Sequence, residues 1–109
     1  MAKVFGFIQF ELLPNVSPAD YEAFVAQTGA GEFDRPGMAF HFVKADRGAR
    51  KGQNALILEF DDVAARDRLF PVEGGGTPDD EFAGRMKALL SGMGKLVGPL
   101  SFSDYVHIG

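Results

Sequence analysis

Cysteine is absent from this sequence, which excludes disulfides, thiolate nucleophiles and zinc–thiolate sites and makes a reducing cytoplasm the expected location. Positive charge is in deficit: 11 Lys and Arg stand against 15 Asp and Glu, for a net charge of −4 and a pI near 5.0. Nonspecific attraction to nucleic acid or to an anionic membrane needs an electropositive face, so neither partner is expected. No block of like charge, no low-complexity run and no apolar stretch long enough to span a bilayer occurs. Lys3 followed by VFGFIQFELL has the outline of a secretory leader, but Gln9 and Glu11 interrupt it and no small-residue cleavage site follows. The stretch reads instead as a strand.

What the sequence does hold is apolar and aromatic. Hydrophobic residues make up 46% of the 109, and 11 residues are Phe. A chain of this length buries roughly 65% of its unfolded surface, enough for a single domain over residues 1–109 with its own core. The segment from Met38 to Asp61 organises the rest. Met38, Phe40 and Phe42 alternate with Ala39, His41 and Val43, and Leu56, Leu58 and Phe60 alternate with Ala55, Ile57 and Glu59. Gly48 and Gly52 bracket a polar tip between them, so the segment is a β-hairpin. Pairing Phe40 with Phe60 and Phe42 with Leu58 matches the apolar sets, centres the turn near Ala49 and Arg50, and sets His41 opposite Glu59. Lys44, Arg47, Arg50 and Lys51 make that tip basic, a pattern that could guide an anionic ligand but is the ordinary dress of a solvated turn.

Around the hairpin the other elements follow in order. Lys3 to Leu12 carries bulky apolar groups on both faces, Val4, Ile8, Phe10 and Leu12 on one and Phe5 and Phe7 on the other, the mark of a central strand. Ser17, Pro18 and Asp20 form a helix start with a capping box, Tyr21, Phe24, Val25 and Thr28 give the helical spacing, and Gly29 and Gly31 stop it. Asp61 to Phe70 fits a short helix with Val63, Leu69 and Phe70 inward, ended by Pro71. Thr77, Pro78 and Asp80 repeat the capping device ahead of a second long helix, in which Phe82, Met86, Leu89, Leu90, Met93 and Val97 form an apolar stripe of about five turns. Gly98 and Pro99 end it, and Leu100 to Ile108 is strand-like. The order is therefore βαββαβ with one extra short helix. Right-handed crossovers turn that order into an α+β, ferredoxin-like fold with a four-stranded antiparallel sheet in the order 4-1-3-2. Two long helices cover only one face of such a sheet, yet the first strand is apolar on both, so the open face calls for a second copy of the chain.

The same open face collects the polar chemistry. His41 beside Glu59 has the form of a general base oriented by a carboxylate, which would fix its tautomer, or of two polar groups satisfying one another at an interface. If Phe102 and Val106 turn to the helices, Tyr105 and His107 join Gln9, Phe5 and Phe7 on the open face, a mixture of apolar walls and a few polar groups suited to a small ligand. His41 and His107 fall on opposite edge strands, on the order of 15 Å apart at three strand spacings, so no metal site is expected. Gly74, Gly75 and Gly76 precede a helix but lack the lysine and spacing of a phosphate loop, and Asp79 and Asp80 would repel phosphate there. Lys51 and Gly52 open the third strand as an RNA-recognition strand opens, but Asn54, Leu56 and Leu58 stand where stacking rings would be needed.

The run LILEFDDVAARDRLFP, a strand ending in an acidic residue followed by a short helix, a loop and a long amphipathic helix, resembles the dimeric α+β-barrel superfamily. That group includes antibiotic-biosynthesis-type monooxygenases and muconolactone-isomerase-like, EthD-like and stress-responsive barrel proteins. As an order of elements the resemblance covers the whole chain. It implies a homodimer whose sheets pack face to face, with a small-molecule pocket in each subunit. Haem-degrading members carry a histidine on the short helix after the third strand; DDVAARDRLF has none, so neither haem nor another cofactor is expected. Two functions follow from the resemblance. One is a cofactor-independent monooxygenase or isomerase acting on an aromatic or polyketide-like compound, with His41 as proton acceptor and Glu59 as its orienter. The other is a non-catalytic ligand-binding or stress-associated dimer.

Overall fold

Short polar signals set where the helices begin. The Ser17 hydroxyl accepts from the Asp20 backbone N–H at 3.1 Å, and the Asp20 carboxylate accepts from the Ser17 N–H at 3.2 Å. This reciprocal capping box, with proline in the first turn, opens α1 (Pro18–Thr28), and the Gly29 N–H closes it on the Val25 carbonyl. Asp62 caps α2 (Val63–Leu69) by accepting from the Ala65 N–H at 2.8 Å. The remaining elements of this computed structural model, which describes residues 2–29, 33–71 and 80–109, are β1 (Val4–Gln9), β2 (Met38–Lys44), β3 (Asn54–Phe60), α3 (Asp80–Met93) and β4 (Ser101–Val106). Gly31, the Gly74–Gly76 run and the cap expected from Thr77 and Pro78 lie outside the described residues.

The four strands form one antiparallel sheet in the order β2-β3-β1-β4, the expected order read from its other edge. The hairpin register differs from expectation by two residues. Phe40 pairs with Leu58 and Phe42 with Leu56, while His41 stands opposite Ile57 and Ala39 opposite Glu59. A shift of two leaves every side chain on the same face, so hydrophobic alternation cannot detect it. The turn decides it. Ala45 and Gln53 close the ladder at 2.9 Å, and Gly48 and Gly52 take positive φ of 101° and 87° within the tip, a conformation that favours glycine.

One face of the sheet supplies the core. Val4, Ile8, Leu56, Leu58 and Phe60 lie under Phe82, Leu89 and Met93 of α3, with Tyr21 and Leu69 closing the sides. Two expectations are corrected here. Val63 is exposed and Ala65 joins Leu69 in facing inward, because the Asp62 cap fixes the phase of α2. Val97 is buried, but not as part of the helical stripe: α3 stops at Met93, and Val97 forms a β-bridge with Leu12, flanked by Leu13 N–H to Leu96 carbonyl and Gly98 N–H to Glu11 carbonyl bonds at 2.9 Å. Leu12 is thereby detached from β1, which ends at Gln9. Within the stripe, Leu90 is exposed. Among the described residues no helix is long and apolar enough to cross a membrane.

Candidate functional site

The two faces of the sheet hold two different polar groupings. On the face that no helix covers, alternation and register gather Phe5, Phe7 and Gln9 with Ser101, Ser103 and Tyr105 on one side and Ala55, Ile57 and Glu59 on the other. The Phe7 and Tyr105 rings meet edge to face with centroids 5.3 Å apart. Asn54, Leu56 and Leu58 point to the helices instead, so the base-stacking comparison belongs to Ala55 and Ile57, which are equally without rings. Gln9 pairs with Ser101 at the far end of the strands from Glu59.

His41 reaches Glu59 across the diagonal of the shifted register, with Nε2 3.4 Å from Oε1. Lys3, which the sequence does not single out, donates to Glu59 Oε2. The hydrogen bond from Lys3 holds the Glu59 carboxyl below the ordinary carboxylate value against the opposing effect of burial, and the same bond raises the Lys3 ammonium. His107 follows β4, its backbone N–H donating to the Lys3 carbonyl at 2.9 Å. It sits at one edge of the sheet and His41 at the other, so the structure joins His41, Glu59 and Lys3 and leaves His107 and Gln9 apart from them. All three joined side chains keep substantial contact with solvent. Ion pairs in that setting contribute little to stability.

The other grouping lies beneath the helices. A cavity of about 270 Å³ opens between the sheet, α2 and α3. Ile8, Leu58 and Phe60 form its floor, Phe70, Met86 and Leu90 its roof, and Leu100 and Phe102 its outer wall. Its only charged lining groups among the described residues are Arg66 and Asp104. Arg66 Nη1 donates to Asp104 Oδ2 at 3.1 Å and Arg66 Nε donates to Asp67 Oδ1 at 3.1 Å. The Arg66 and Asp104 side chains are 22% and 25% exposed. Asp104 has room there because the residue facing it on β1 is Gly6: a Cβ at that position would stand 2.9 Å from Asp104 Oδ1.

Sequence reasoning passed over this second grouping. Its members are 38 residues apart, with no local motif to join them. One signal was present all the same: Asp104 falls between Phe102 and Val106 in the alternation of β4, a carboxylate on the apolar side, and Gly6 falls between Val4 and Ile8 in that of β1.

No family profile and no curated protein matches this sequence. Among solved structures it is similar to a dimeric ferredoxin-like protein of unknown function from Thermobifida fusca, with a TM-score of 0.64 at 10% identity over 97% of this chain and 92% of that one. A likeness at such low identity speaks to architecture alone. Together with the strand order, it establishes an α+β ferredoxin-like fold for this chain.

Proposed function

We propose that this protein is a homodimeric small-molecule-binding protein that holds its ligand between the sheet and helices α2 and α3. The observation that carries the reading is the cavity of about 270 Å³ with apolar floor and roof. An apolar cavity of about 150 Å³ takes benzene, so the space here suits a two-ring aromatic molecule. The second copy packs on the open face, where Phe5, Phe7, Ile57 and Tyr105 supply the apolar centre and the Lys3, Glu59 and His41 group a polar margin, the usual anatomy of an interface. The description of the Thermobifida fusca protein as dimeric supports this arrangement. So does the resemblance to dimeric α+β barrels, whose sheets pack face to face.

A catalytic reading, with His41 as proton acceptor and Glu59 as its orienter, draws on the 3.4 Å contact between them. It locates chemistry on the face opposite the cavity, among Gln9, Phe5, Phe7, Tyr105 and His107, and therefore requires the partner's sheet to close a second pocket. The binding reading needs no such addition. NMR titration with naphthalene separates the two. Shifts gathered at Leu58, Met86 and Phe102, abolished by Met86→Trp, support the cavity; shifts gathered at His41 and Tyr105 support the open face. Saturation of neither set would remove the small-molecule reading.

A further inference from the structure

The groups lining the cavity say more about the ligand than its volume does. We infer that the cavity selects an uncharged apolar molecule bearing a single hydroxyl, which donates to Asp104 Oδ1, and that it rejects the corresponding carboxylate. This rests on the small-molecule reading and names the ligand class of the same site. Three observations carry it. First, Arg66 is already shared between two carboxylates, Asp67 on Nε and Asp104 on Nη1, each at 3.1 Å. One guanidinium against two carboxylates leaves the group with an excess negative charge, so a third carboxylate meets repulsion rather than a free cation. Arg66 resembles an anion receptor in isolation, but its partners cancel that role.

Second, Asp104 spends only one oxygen on Arg66. Oδ2 takes the Nη1 hydrogen, and no hydrogen bond from a described residue reaches Oδ1. Asp104 lines the cavity with its side chain a quarter exposed, so a bound hydroxyl can take the place of solvent at this oxygen and donate to it. Third, the site makes space for that oxygen at a cost to the sheet. Gly6 sits in the middle of a central strand, where glycine is unfavourable, and a Cβ there would press on Asp104 Oδ1 at 2.9 Å and on the Phe102 ring at 3.5 Å. Gly6 thus acts as a positioning residue for the Asp104 carboxylate.

The test compares naphthalene, 2-naphthol and 2-naphthoate at pH 7, where a phenol with a pKa of about 10 is neutral and a carboxylic acid with a pKa of about 4 is charged. The chain contains no tryptophan, so naphthol fluorescence reports binding without interference. A hydrogen bond to a charged group in a partly sheltered site predicts that 2-naphthol binds about tenfold tighter than naphthalene, and that 2-naphthoate binds more weakly than naphthalene. Gly6→Ala is expected to erase the naphthol advantage, read as the ratio of naphthol to naphthalene affinity, in a variant shown to be folded by an unchanged far-UV circular dichroism spectrum. Asp67→Asn, remote from the hydroxyl, is expected to relieve the naphthoate penalty and keep the naphthol advantage. Equal affinity for naphthalene and naphthol, or tightest binding by naphthoate, overturns the inference while the cavity reading stands. Failure of all three to bind overturns both.

Discussion

The two faces of one sheet are built from alternate residues of the same strands, and they differ in how their apolar groups are finished. On the helix side Val4, Leu56, Leu58 and Phe60 are almost wholly withdrawn from water. On the other side Phe5, Phe7 and Ile57 are only half-buried, and Lys3, Glu59 and His41 border them. The helix side is covered within the chain over β1 and β3, whereas its β4 end, with Phe102 and Val106, stays open to solvent. The open side has the composition of a surface awaiting a partner. The lesson is that apolar content does not by itself identify a core: strand β1 carries it on both faces, and only the count of covering elements tells which face is finished.

The helix face is most sensitive at Phe60. Phe60→Ala is expected to cost about 3–5 kcal/mol of folding stability, independent of protein concentration, as read by urea denaturation. The same loss at every concentration is the sign of a face finished within one chain; a loss that vanished at high concentration would move Phe60 into an interface. Phe7→Asp addresses the other face. It is expected to leave the far-UV circular dichroism unchanged and to weaken self-association by roughly a hundredfold, measured by sedimentation velocity. Destabilisation of the monomer on the scale of Phe60→Ala, with no effect on association, would erase the distinction between the faces.

At the polar margin of the open face the change is slight. Glu59 has its carboxyl held below its ordinary 4.5 by the hydrogen bond from Lys3. A group depressed in the folded state stabilises above its unfolded value and loses that contribution as pH falls through the folded one. Stability should therefore decline slightly below pH 4.5, and Glu59→Gln should remove that part of the acid limb. Lys3 is shifted the other way, above its ordinary 10.5, so its contribution is complete below that value and fades as pH rises past it. Urea midpoints followed across pH for both proteins provide the check, and identical acid limbs would mean that the Lys3–Glu59 bond contributes nothing in solution.

Most of the architecture was legible because it is written in local, periodic signals. The alternation in β2 and β3 fixed which side each residue faces, and the Ser17–Asp20 capping box marked the start of α1. What was illegible depends on choices to which those signals are indifferent. The hairpin register moved by two because such a shift conserves faces, so His41 meets Glu59 on a diagonal rather than directly. Val97 continued the helical spacing of α3 on paper, but its burial comes from a bridge to Leu12. The site was harder still. Lys3 and Glu59 are 56 residues apart, Arg66 and Asp104 38, and charge pairs at such separations leave no periodic trace. A carboxylate out of step with its apolar neighbours was the one available sign.

β4 is the last strand of the sheet, and every one of its residues is exposed. The outer rim of such a strand presents backbone donors and acceptors ready to zip onto any extended chain, and Phe102 and Val106 make it adhesive as well. An inward-pointing charge is a common defence against that growth, since a newly added strand would have to cover it. Asp104 occupies that position. The carboxylate that lines the cavity on its inner side therefore also stands where it hinders a fifth strand, so that one side chain shapes both the cavity wall and the edge of the sheet.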